Sequence, residues 1–119
     1  LNLVEKGKNY GWPVIEGDET MKGMEKPIIN SGSLNSWEPA GMIYLNGTLY
    51  FTGLKGEAIY SYNIENKQLK TYLKGQFGRL RAITYYDGYI YVSTSNREGR
   101  GEIKEGDDKI LKINPRLLV

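Results

Sequence analysis

The chain has 119 residues, 39% apolar and 25% charged, with a formal net charge of +2, a composition typical of a globular protein and not of a disordered one. That charge is too small, and the Lys and Glu residues too interspersed, to indicate a nucleic-acid partner, and no apolar run approaches the roughly 20 residues of a transmembrane segment. The sequence contains neither Cys nor His, which excludes within these residues a zinc site of the usual ligands, a thiol nucleophile, a Ser/His/Asp triad and an imidazole base.

From the N-terminus, residues 1–38 read as turns and Gly-rich loops, beginning inside the apolar-alternating Leu1-Asn2-Leu3-Val4. In Asn9-Tyr10-Gly11-Trp12-Pro13, Gly11 permits unusual dihedrals and Trp12 is held extended before Pro13; Trp12 reads as a plug between packed sheets. Glu16, Asp18 and Glu19 form an acidic cluster, read as a solvated loop in preference to a cation site. Met42–Leu45 and Thr48–Thr52 then flank Asn46-Gly47, a hairpin signal because both central residues of a type I′ turn need positive φ. A third strand at Ala58–Ile64, a turn at Glu65-Asn66-Lys67 and a fourth strand at Gln68–Leu73 complete an antiparallel meander.

The pattern then repeats. Arg81–Tyr86, a turn at Asp87-Gly88 and Tyr89–Thr94 echo the first hairpin 41 residues later. A polar loop, Ser95–Asp108, intervenes before Lys109–Ile113; Asp107 and Asp108 read as loop acids or as a cap on the neighbouring loop. A four-stranded unit recurring about every 40 residues is the signature of a β-propeller blade, favoured here over a sandwich. The expected organisation is inter-blade loops and a partial blade at 1–38, a four-stranded blade at 39–76, and a last blade at 77–119 lacking one strand, since Pro115 is poorly suited to a central strand.

The candidate site residues stand at a strand entrance, in Gly78-Arg79-Leu80-Arg81-Ala82. Alternate strand residues share a face, so both guanidiniums are expected to project together, opposite Leu80. Two planar forks suit a polyanion, because each binds a carboxylate or phosphate bidentately. The alternative is a pair of solvated charges.

In order, Asn9–Pro13, Pro39-Ala40-Gly41-Met42, Gly53-Leu54-Lys55, Gly78–Ala82, Asp87-Gly88, Thr94–Gly101 and Asp107–Ile113 resemble the soluble PQQ-dependent aldose sugar dehydrogenases, relatives of soluble quinoprotein glucose dehydrogenase. The resemblance covers essentially the whole chain. It implies an all-β, six-bladed propeller of which these residues form the C-terminal third, the rest of the ring lying outside them. It also implies a periplasmic or extracellular location. Arg79, Arg81 and Lys55 match the family's cofactor contacts to pyrroloquinoline quinone (PQQ), a planar tricarboxylate. Tyr10 matches a residue whose backbone carbonyl binds Ca²⁺, an oxygen ligand suited to that ion. The family's catalytic base is a histidine, so the resemblance implies that this chain supplies cofactor contacts but no catalytic residue, and is inactive in isolation. The implied reaction oxidises an aldose at C1 to the lactone, with electrons passing on to an unidentified acceptor. A non-enzymatic propeller module binding glycan or protein is the alternative, and a calcium-dependent lactonase a third.

Overall fold

The computed structural model describes residues 1–119, which divide into two compact units, Leu1–Ser36 and Trp37–Val119. The first unit contains neither helix nor strand. Long-range backbone hydrogen bonds close it: the Leu1 ammonium donates to the Ile29 carbonyl at 3.0 Å, Ile28 N to Leu1 O at 2.8 Å, and Glu25 N to Asn9 O at 2.7 Å. Gly11 has φ +93°, and a Cβ there would fall 2.2 Å from Cγ1 of the buried Ile15. Only glycine fits that turn. Within these residues Trp12 is 80% exposed.

The second unit is all-β apart from one 3₁₀ turn, Pro115–Leu118. Its strands are β1 (Pro39–Leu45), β2 (Thr48–Gly53), β3 (Ala58–Asn63), β4 (Leu69–Tyr72), β5 (Leu80–Tyr86), β6 (Tyr89–Thr94) and β7 (Ile110–Ile113). They form two antiparallel sheets in sequence order, β1-β2-β3-β4 and β5-β6-β7. The expected strands are all present: Tyr89–Thr94 matches at both ends, and no end of the others is shifted by more than three residues. Both two-residue hairpin loops have positive φ throughout, 49° and 80° at Asn46-Gly47 and 46° and 84° at Asp87-Gly88, as a type I′ turn requires.

The repeat is deeper than the turns alone reveal. In β1 the register slips by one residue between Pro39 and Met42, and in β5 between Leu80 and Ile83, a β-bulge at equivalent positions. Each bulge is closed by a hydroxyl on the neighbouring strand: Gly41 N donates to Thr52 Oγ1 at 3.1 Å and Ala82 N to Ser93 Oγ at 3.0 Å. Period-2 alternation turns Tyr50, Thr52, Ile59 and Ser61 to one face of the first sheet, and Phe51, Tyr60 and Tyr62 to the other. The first face contributes Tyr50 and Ile59 to a core shared with Leu80, Ile83, Ile90, Val92, Ile113 and Leu118. On the second, Trp37, Phe51 and Tyr60 pack ring to ring with centroids 5.1–5.3 Å apart.

Candidate functional site

The ends of β2 and β6 and the starts of β1, β3 and β5 lie at one pole of the second unit, brought together by antiparallel pairing within each sheet and by the bond from Thr52 Oγ1 to the Arg81 carbonyl between them. A bulge re-aims the side chain it carries, and Arg81 sits within the one on β5. Arg79 lies just before β5, where its own N–H donates to Asn96 Oδ1 at 2.8 Å and its carbonyl accepts from Ser95 N at 2.8 Å. The two arginines therefore do not project as parallel forks. They converge from different positions on one carboxylate.

That carboxylate is Glu98. Arg79 Nε donates to Glu98 Oε1 at 2.6 Å, while Arg81 Nη2 donates to Oε2. Ser95 closes a triangle: Arg81 Nε donates to Ser95 Oγ at 3.0 Å, and that hydroxyl donates to Glu98 Oε2 at 3.0 Å. Arg79 has a second anionic partner in Glu38, at 3.4 Å, and Arg100 approaches the other Glu38 oxygen at 3.7 Å. The Arg79 side chain is only 8% exposed, whereas that of Arg81 is 48% exposed. Partial burial alone would raise the pKa of Glu98; hydrogen bonds from Arg79, Ser95 and Arg81, with the charge of Arg79, outweigh it and hold the group below its ordinary value.

The loop bearing Glu98 and Arg100 is anchored by a second network. Asn96 is fully buried, its Nδ2 donating to Phe77 O at 2.9 Å and to Asp107 Oδ2 at 3.0 Å. Asp108 Oδ1 accepts from Asn96 N at 2.6 Å and from Thr94 Oγ1 at 3.1 Å. These bonds, the one from Asn96 N foremost, depress the Asp108 pKa against the opposing effect of burial. Asp107 and Asp108 thus cap the neighbouring loop, one of the two roles considered for them. Gly78, with φ +76°, admits Asn96: a Cβ there would stand 2.3 Å from Asn96 Oδ1.

Lys55 is exposed on the β2–β3 turn and makes no hydrogen bond or ion pair. Its turn is tied to the segment carrying Glu38, because Leu54 N donates to Glu38 O at 3.0 Å and Gly56 N to Trp37 O at 3.1 Å. The structure thus places Lys55 at the same pole as Arg79 and Arg81. Of these cations, Arg79, Arg81 and Arg100 are paired with Glu38 and Glu98, and Lys55 is unpaired. Sequence reasoning did not identify Glu38, Glu98 or Arg100. Glu98 and Arg100 lie in the Thr94–Gly101 motif, but nothing in its spacing shows that it folds back onto β5.

Tyr10 belongs to the first unit, where its hydroxyl donates to Leu3 O at 2.5 Å and accepts from Glu5 N at 2.8 Å. Asp18 accepts from Asn30 Nδ2 at 2.9 Å and Glu19 from the Glu16 N–H at 3.0 Å. No three His, Cys, Asp or Glu side chains gather to hold a metal ion. These residues do not by themselves fit a calcium site.

The model of the family described as glucose/sorbosone dehydrogenase matches residues 1–111. An uncharacterized protein of Synechocystis sp. is 32% identical over 124 aligned residues, covering 84% of this chain and 29% of that protein. The PQQ-bound aldose sugar dehydrogenase of Streptomyces coelicolor superposes with a TM-score of 0.85 at 32% identity, over 95% of this chain and 35% of that one. An oxidoreductase of Thermus thermophilus, described as a glucose dehydrogenase, gives a TM-score of 0.81 at 35% identity, over 94% of this chain and 35% of that one. The chain spans about a third of the length of these relatives.

Proposed function

The chain belongs to the glucose/sorbosone dehydrogenase family, and from that premise we propose that it forms part of a PQQ-dependent aldose sugar dehydrogenase. In this reading its two sheets are successive blades of a six-bladed propeller, with the other blades supplied by polypeptide outside these residues. The observation that carries the proposal is the grouping of three cations, where Lys55 is unpaired and Arg81 is half exposed beside the buried Arg79. The superposition on a PQQ-bound relative supports it.

Bound there, PQQ would supply a two-electron acceptor for oxidation of an aldose at C1. Arg79, Arg81 and Lys55 would hold its carboxylates and stabilise negative charge on the ligand through charge-assisted hydrogen bonds. The family's histidine base has no counterpart among these residues, so the proton acceptor is assigned to another part of the protein. A calcium ion would likewise depend on ligands from outside, with the Tyr10 carbonyl as one contributor. The test is aldose-dependent reduction of a redox dye by the complete protein, supplied with PQQ and Ca²⁺. Reduction is expected with the complete protein and not with the 119-residue chain alone; no reduction with any aldose would overturn the enzymatic reading.

A further inference from the structure

We infer that Glu98 is the positioning residue for Arg81, holding its inner edge so that its outer edge faces a ligand carboxylate. The inference rests on the proposed use of Lys55, Arg79 and Arg81 as an anion site. Arg81 has two anchors, and both lie along one edge of its guanidinium: its Nε donates to Ser95 Oγ at 3.0 Å and its Nη2 to Glu98 Oε2. Ser95 in turn donates to the same Glu98 oxygen at 3.0 Å, so one carboxylate oxygen fixes two points of a rigid fork. Nη1 has no partner within the chain, and the side chain is 48% exposed. Arg79 also donates to Glu98, from Nε to Oε1 at 2.6 Å, but it is buried and has a second carboxylate in Glu38 at 3.4 Å, so it keeps an anchor when Glu98 is changed. Glu98 is the only carboxylate that Arg81 meets.

A glutamine at position 98 would keep the length of the side chain but carry only one acceptor oxygen. Its amide N–H₂ would face a guanidinium, donor against donor, and because Arg79 is the more tightly fixed of the two, Arg81 would be released. The experiment titrates the complete protein with PQQ, followed by quenching of tryptophan fluorescence, in wild type, Glu98→Gln, Arg81→Ala and the double variant. Glu98→Gln is expected to weaken binding about tenfold, the scale of a lost orienting partner, and to cost nothing further once Arg81 is gone. Should Glu98→Gln fail to fold, as judged by thermal melting, Glu98→Asp, which keeps the charge but is one methylene shorter, takes its place in the same cycle. Unchanged affinity in the Glu98 variant, tighter binding, or an equal loss with and without Arg81 would each overturn the positioning role. Unchanged affinity in Arg81→Ala would instead overturn the anion site on which the inference rests.

Discussion

At the scale of single residues, the pole depends on carboxylates that are kept ionised. Asp108 is held below its ordinary pKa of 3.8 chiefly by the Asn96 N–H, with Thr94 and Arg97 assisting. A depressed folded-state pKa contributes stability that is complete above the unfolded value and is lost as the pH falls through the folded one. Glu98 is shifted the same way from 4.5. The loop bearing Glu98 and Arg100 is therefore expected to lose stability as the pH falls below the ordinary carboxylate range, through the lowered pKa values of these groups. Asp108→Asn should lower stability at pH 7 and flatten the acid limb, so that variant and wild type converge at strongly acidic pH. Urea unfolding across that range checks this; parallel curves for the two proteins would show that Asp108 contributes nothing through its charge. The arginines themselves were legible from Gly78–Ala82, but their partners were not. Glu38 and Glu98 lie 41 and 19 residues from Arg79, and no local period records such a pairing.

At the scale of elements, the two bulges do what plain alternation would not. They place Gly41 against the Arg81 backbone, where a Cβ at residue 41 would stand 2.9 Å from the Arg81 oxygen. Thr52 joins the sheets at that point: its fully buried hydroxyl accepts from Gly41 N and donates to the Arg81 carbonyl. Thr52→Val preserves the shape but strands both backbone groups, and should cost about 2 kcal/mol. Ser93 closes the second bulge with a single bond at a more exposed position, so Ser93→Ala should cost about 0.5 kcal/mol. Chemical denaturation of both variants tests the difference, and equal losses would show that the Thr52 bridge does not hold the sheets together. The hairpins were readable because Asn-Gly and Asp-Gly act through local backbone preference. The bulges were not, because an extra residue in one strand shows only once its partner strand is placed.

At the scale of the whole molecule, the second sheet ends at β7, whose outer edge is unpaired. Beside it Tyr72, Phe77, Leu111 and Leu118 line an apolar groove, and Ile110 and Leu117 are 76% and 73% exposed. An open strand edge next to apolar surface recruits further strands. Produced alone, the 119-residue chain should self-associate with rising concentration in sedimentation velocity; a compact monomer at every concentration would count against its being part of a larger ring. The all-β class, the seven strands and the 41-residue repeat were legible along the chain, because alternation and turn dihedrals are carried by neighbouring residues; Arg79 and Arg81 stood out by their spacing, Lys55 only by the family resemblance. The burial of Arg79, the open edge of Arg81 and the pairing of both with Glu98, and of Arg79 with Glu38, emerge only in three dimensions. Those outcomes depend on where the Ser95–Asp108 loop folds, and that is set by buried hydrogen bonds between residues distant along the chain.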